Sequence, residues 1–154
     1  MRIEKDYEEL LRLFNKHKVR YCIVGAFAVA FYARARYTKD MDILIEPDGE
    51  NAARVLAALN AFGFRSLELT EKDFTQTGRV IQLGYEPLRV DLATSIEGVL
   101  FKAAWKNKKA GRYGSQKVFF IGFNELLLNK RKSNRLQDRA DLEILKSAKP
   151  NRRK

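Results

Sequence analysis

The stretch "YTKDMDILIE", Tyr37 to Glu46, decides how this chain is read. It places Asp40 and Asp42 inside what otherwise reads as a buried strand. Residues i and i+2 of a strand point to the same face. The two aspartates therefore project together, while Met41, Ile43 and Ile45 face the core. Adjacent carboxylates repel, and each raises the other's pKa unless a cation lies between them. A divalent metal resolves that repulsion, so the pair reads as a metal clamp. The plainer alternative pairs them with Arg34, Arg36 or Lys39 on a structural surface.

A third acid, Asp91, is centred in "LRVDLAT" between Val90 and Leu92. A carboxylate in an apolar strand needs a partner. If that strand lies beside "DMDILIE", three carboxylates converge. Such a triad can hold Mg²⁺ or Mn²⁺ and position a nucleoside triphosphate, with one carboxylate accepting the proton of an attacking hydroxyl.

Working outward, "YCIVG" is a short apolar strand ending at Gly25, and "AFAVAFYARAR" is a helix that starts at once. The free N–H groups and positive dipole end of that helix, at Gly25 and Ala26, suit a phosphate. Arg36 could reach a phosphate and Thr38 begins the next strand; both are carried as nucleotide-binding candidates. Tyr7 to His17 has the period of an amphipathic helix. Asp48 or a neighbour can cap a helix that runs to Phe62 and stops at Gly63. "FRSLEL", "RVIQLGY", "LRVDLAT" and "KVFFIG" read as strands, Gly98 to Asn107 as a helix, and "KKAGRYGSQ" as a basic loop. "NELLLNKRKS" and "LQDRADLEILKS" read as two helices broken near Asn134. The class is α/β (α+β): a small mixed β-sheet flanked by helices, with C-terminal helices. Residues 1–146 are expected to form one domain, and 147–154 a basic, disordered tail.

Composition narrows the chemistry. The 154 residues suit one core. With one cysteine, Cys22, and one histidine, His17, an internal disulfide and a His-rich zinc site are excluded. A reducing cytosol is the expected location, and no apolar run is long enough for a membrane helix. Any metal must be held mainly by carboxylates, which favours a hard ion. The net charge is +11, and from Lys102 onward there are 16 Lys/Arg against 4 Asp/Glu. That asymmetry suits a polyanionic partner such as nucleic acid, RNA included, a nucleotide or an acidic protein, unless it is a solvated basic surface. Lys130, Arg131, Lys132, Arg135 and Arg139 could line its groove. Tyr85, Trp105 and Tyr113 could stack on bases but read more readily as core or surface cover. Cys22 reads as an inert core thiol.

"VGA", thirteen residues, then "DMDI" resembles the signature of the DNA polymerase beta-like nucleotidyltransferase superfamily. The order of "VGAFAVAFYARARYTKDMDILIEP", "NAARVLAALNAFGF", "IQLGYEPLRVDLATSIEGVLF" and "NELLLNKRKSNRLQDRADLEIL" is similar to small members resembling abortive-infection toxins and nucleotidyltransferase antitoxins. The resemblance spans about Tyr21 to Leu145. It implies the nucleotidyltransferase fold, with Asp40, Asp42 and Asp91 as catalytic metal ligands and Gly25 and Ala26 as the phosphate turn. It implies that Lys130 lies near the triphosphate or the bound polynucleotide, with Asp138 and Asp141 orienting Lys130 or Arg139. The implied reaction is Mg²⁺-dependent nucleotidyl transfer from an NTP to a hydroxyl on RNA, tRNA included, or on protein, with a cognate toxin or antitoxin as partner. A degenerate module that binds nucleic acid or a partner protein is the alternative. Ala26 stands where the family pattern has Gly or Ser, so a phosphate there would meet backbone N–H without a hydroxyl. "KRKSNR" is more basic than the usual small-residue run.

Overall fold

Tyr7, Leu10, Leu11, Leu13 and Phe14 form one buried face of a helix, α1 (Lys5–Lys16), and the charged residues between them stay at the surface. The computed structural model describes residues 3–33, 40–64, 68–85 and 88–148. β1 (Tyr21–Val24) is buried at all four positions, as an apolar run in the middle of a sheet must be. It passes directly into α2 (Gly25–Ala33). β2 (Met41–Ile45) returns antiparallel to β1 and leads to α3 (Gly49–Phe62). Asp48 caps α3 by accepting a hydrogen bond from the Asn51 N–H at 2.8 Å, and Gly63 ends it in the left-handed conformation.

β3 (Val80–Tyr85) and β4 (Leu88–Ala93) form an antiparallel hairpin. α4 (Phe101–Lys106) follows, then the antiparallel pair β5 (Lys109–Tyr113) and β6 (Gln116–Phe120). α5 (Phe123–Ser133) and α6 (Leu136–Ala148) close the described chain. The described strands make one mixed sheet in the order β3-β4-β2-β1-β6-β5. Its parallel pairs are β2 with β4 and β1 with β6. α1 packs on α3 and β6, and α2 packs on β1, β2, α5 and α6. This is the mixed α/β architecture that the sequence predicts.

Three expectations are corrected. "KKAGRYGSQ" is not a loop: Lys109–Tyr113 is the outer strand of a hairpin. The hairpin is fixed from a distance, because Glu8 Oε2 accepts hydrogen bonds from Ser115 N and Oγ at 2.6 and 2.7 Å, and the Tyr113 hydroxyl accepts one from Glu4 N. "FRSLEL" forms no strand among its described residues: Phe64 stacks on Phe62 and Glu68 has φ 55°. Residues 65–67 of that stretch lie outside the described residues. The helix expected over Gly98 to Asn107 is shorter, since Gly98 has φ +78°, which a right-handed helix does not allow.

Asn51 joins three elements and carries no sequence signal beyond helix capping. It is fully buried. Its Nδ2 donates to Arg20 O and Glu46 O at 3.1 and 3.0 Å, and its Oδ1 accepts from Arg20 N at 2.7 Å. One amide thus satisfies backbone groups at the start of β1 and the end of β2 from inside α3.

Candidate active site

The sheet register brings the acids together. β2 and β4 run parallel with Asp42 opposite Asp91, and on the other side of β2 Asp42 lies opposite Val24. Gly25, the next residue after Val24, therefore sits beside Asp42. It has φ +66°, and a Cβ there would collide with Asp42 Oδ2. Glycine is required twice over, for its backbone conformation and for this approach. Asp40 precedes β2 rather than lying within it.

Asp40 and Asp91 are linked by a residue that the sequence reading did not single out. Arg89 Nη2 lies 3.0 Å from Asp40 Oδ2 and 3.2 Å from Asp91 Oδ2. The signal was available: Arg89 and Asp91 are two apart on β4 and share a face. The Arg89 backbone is itself held, since the Tyr7 hydroxyl donates to Arg89 O at 3.1 Å and accepts from Arg89 N at 3.2 Å. Burial pushes the Tyr7 hydroxyl up to about 12, and the nearby Asp40 adds to the shift. Burial, with the charges of Asp91 and Asp40, pushes the Asp42 carboxyl up to about 6. The charges of Lys130 and Arg89 oppose that rise without cancelling it.

Opposite the acids stand α5 and α6. Asn134 has φ 51° and turns the chain sharply between them. Lys130 is buried, and its Nζ lies 3.2 Å from Asp138 Oδ1 and 3.0 Å from Asp141 Oδ2. Arg135 donates to Asp138 Oδ2 from its backbone N and its Nε, at 3.1 and 2.9 Å. Burial acts to raise the Asp138 carboxyl, but the Arg135 and Lys130 hydrogen bonds outweigh it and hold the group down at about 2. Gln137 Nε2 donates to Asp141 Oδ1 at 3.0 Å. Asp138 and Asp141 hold Lys130. Arg139 lies apart from them, exposed, with its Nε on Asn134 Oδ1.

Between the two walls is a cleft of about 810 Å³. Gly25, Asp42 and Asp91 line one side, Lys130, Lys132 and Arg135 another, and the segment Ser95–Gly98 a third. Carboxylates on one side and cations on the other suit a ligand that carries both metal and phosphate. Arg36 and Thr38 lie outside the described residues. Ala26 is the second residue of α2, next to Gly25 at the cleft. The aromatic candidates Trp105 and Tyr113 stand elsewhere. Trp105 is stacked with Phe101 and covered by Lys108 Nζ at 3.8 Å, and Tyr113 is buried. Cys22 is buried, and burial pushes its thiol up to about 12, as suits an inert core group.

Among the described residues, no group of three or more His, Cys, Asp or Glu is arranged to close on a metal ion. The donor set nevertheless fits a hard divalent cation. Asp40 Oδ1 and Asp91 Oδ1 are buried and accept no hydrogen bond among the described residues. Buried carboxylate oxygens without donors are costly unless a cation meets them. Among the described residues no helix is long and apolar enough to cross a membrane.

No protein-family model and no curated protein matches the chain. The solved structures it resembles include the lincosamide antibiotic adenylyltransferase LnuA, bound to lincomycin. That likeness has a TM-score of 0.60 at 18% identity, over 94% of this chain and 97% of the other. Another is the antibiotic-resistance factor ANT(2'')-Ia, with a TM-score of 0.61 at 12% identity, over 94% of this chain and 82% of the other. At these identities the likeness is one of fold. Element order, sheet topology and these neighbours together give the chain the nucleotidyltransferase fold.

Proposed function

We propose that the protein transfers a nucleotidyl group from an NTP to an acceptor hydroxyl, with Mg²⁺ or Mn²⁺ held by Asp40, Asp42 and Asp91. The observation that carries this reading is the register that sets Asp42 against Asp91 and beside Gly25, across a cleft from Lys130. The backbone at Gly25 and Ala26 would receive phosphate at the start of α2. Lys130, held at fixed reach by Asp138 and Asp141, would neutralise phosphate charge. Asp91 would accept the proton of the attacking hydroxyl. The hydroxyl would attack the α-phosphorus, the bond to the β-phosphate would break and pyrophosphate would leave. When bound, the metal would offset the charge that develops on the α-phosphate and the departing pyrophosphate.

Two acceptor classes go to the test. A hydroxyl of RNA or protein is favoured by the basic C-terminal third, and a toxin–antitoxin role would belong with it. A small hydroxylated molecule is favoured by the lincomycin-bound neighbour. A degenerate binding module is the remaining reading, favoured by Ala26 in the first turn of α2.

The test is incubation with each of the four labelled NTPs and Mg²⁺ or Mn²⁺. RNA, protein lysate and a panel of polyhydroxylated small molecules serve as acceptors. An Asp40→Asn/Asp42→Asn double mutant runs alongside. Label that moves to an acceptor only with the wild type supports the proposal and names the acceptor class. Nucleotide binding without transfer to any acceptor would favour the degenerate module.

A further inference from the structure

We propose that Arg89 is a built-in stand-in for the metal: its guanidinium occupies the cation position between Asp40 and Asp91, and a divalent ion must displace it to bind. The inference rests on the metal reading above. Its geometric core is that a single nitrogen, Nη2, bridges one oxygen of each carboxylate, at 3.0 and 3.2 Å. That is the place of a bridging cation, not of a residue paired with one acid alone. The guanidinium also leaves the arrangement incomplete. It meets the Oδ2 atoms, while Asp40 Oδ1 and Asp91 Oδ1 stay buried without a hydrogen-bond donor among the described residues.

The exchange requires only side-chain movement. The Tyr7 hydroxyl fixes both backbone groups of Arg89, and β4 is paired on both sides, with β2 and β3. The Arg89 side chain is 28% exposed and has solvent to swing into. A monovalent guanidinium that spreads its charge over a plane is a weaker partner for clustered carboxylates than a compact divalent ion, so the metal prevails once its concentration suffices. Before then Arg89 keeps three like charges from forcing the strands apart. The consequence is a threshold: the site trades metal affinity for integrity in the empty state. Arg89 is a positioning residue in this scheme and takes no part in the chemistry.

The experiment measures Mn²⁺ affinity by electron paramagnetic resonance for the wild type, Arg89→Met and Asp42→Asn, with melting temperatures with and without Mn²⁺. The expected result is about tenfold tighter Mn²⁺ binding by Arg89→Met, the order expected when one adjacent positive charge is removed. The variant should also melt lower than the wild type without metal and gain more from Mn²⁺. Equal or weaker binding by Arg89→Met overturns the inference. A readout on the wild type covers the case in which the variant fails to fold. The Arg89 Nε–H resonance, followed by ¹⁵N NMR, should move on Mg²⁺ addition as the guanidinium leaves the carboxylates. A resonance that stays still while Asp42→Asn abolishes Mn²⁺ binding overturns the Arg89 inference and leaves the metal reading standing. No Mn²⁺ uptake by any of the proteins overturns both.

Discussion

Asp42 Oδ2 occupies the space in which Gly25 would carry a side chain. The first turn of α2 and the acid on β2 are therefore built against each other. Gly25→Ala has to change the φ of +66° or push Asp42 aside. The expected cost is about 2–4 kcal/mol of stability. NTP affinity should fall with it, because the turn and the carboxylate can no longer both hold their places. Urea denaturation and calorimetry with a non-hydrolysable NTP check the two effects. A variant as stable as the wild type would mean that the turn relaxes freely.

Asp42 sets a pH dependence whose sign can be worked out. Its carboxyl is raised to about 6 in the folded protein, from 3.8. A group of this kind binds its proton more tightly when folded, so its contribution is fully present below about pH 4 and is lost as pH rises through about 6. The metal-free protein should therefore lose up to about 3 kcal/mol between those values. Asp42→Asn should flatten that slope, and so should saturating Mg²⁺. Thermal melts across pH 4–7 in chelator and in Mg²⁺ decide the matter.

Lys130 is buried between two buried acids, and breaking such a group is expensive. Lys130→Met should destabilise by about 3–5 kcal/mol, since it strips a cation from Asp138 and Asp141. The double variant Lys130→Met/Asp141→Asn should recover part of that loss, because it removes one of the two buried charges that Lys130 meets. Chemical denaturation of the two singles and the double measures the coupling. Simple additivity would count against Lys130 being held by these acids in solution.

Asp91→Asn is expected to lower transfer by at least about 10²-fold while folding and NTP binding persist. Steady-state transfer and equilibrium binding, measured on the same preparation, separate the roles. Retained turnover would remove Asp91 from the proton-transfer step.

Much of this architecture is legible in the sequence where the signal is local. The run Tyr21–Val24, the glycine after it, the cap at Asp48 and the stop at Gly63 all act within a few residues. Asp91 could be nominated because a charge amid apolar strand residues is anomalous by itself. What escaped depends on partners far along the chain. β5 has the composition of a loop and becomes a strand because Glu8 and Glu4 fasten its hairpin from α1 and its N-cap. Arg89 has an ordinary sequence context, and its role is set by where β4 falls against β2. Asn51 looks like a capping-region residue, and its three backbone hydrogen bonds appear only once β1, β2 and α3 are assembled.

The pairing of β1 with β6, where Ile23 lies opposite Phe120, has a consequence for synthesis. β1 leaves the ribosome ahead of its second neighbour, which is made almost a hundred residues later. Until then one edge of a fully buried apolar strand has no lasting cover, and the nascent protein is exposed to sticking. The strands that carry the acids, β2 and β4, can pair before that edge is sealed, and the wall that carries Lys130 arrives after it. A chain ended just before Gln116 should therefore be made but collect in the insoluble fraction, and a soluble, monomeric truncation would show that β1 is shielded in some other way.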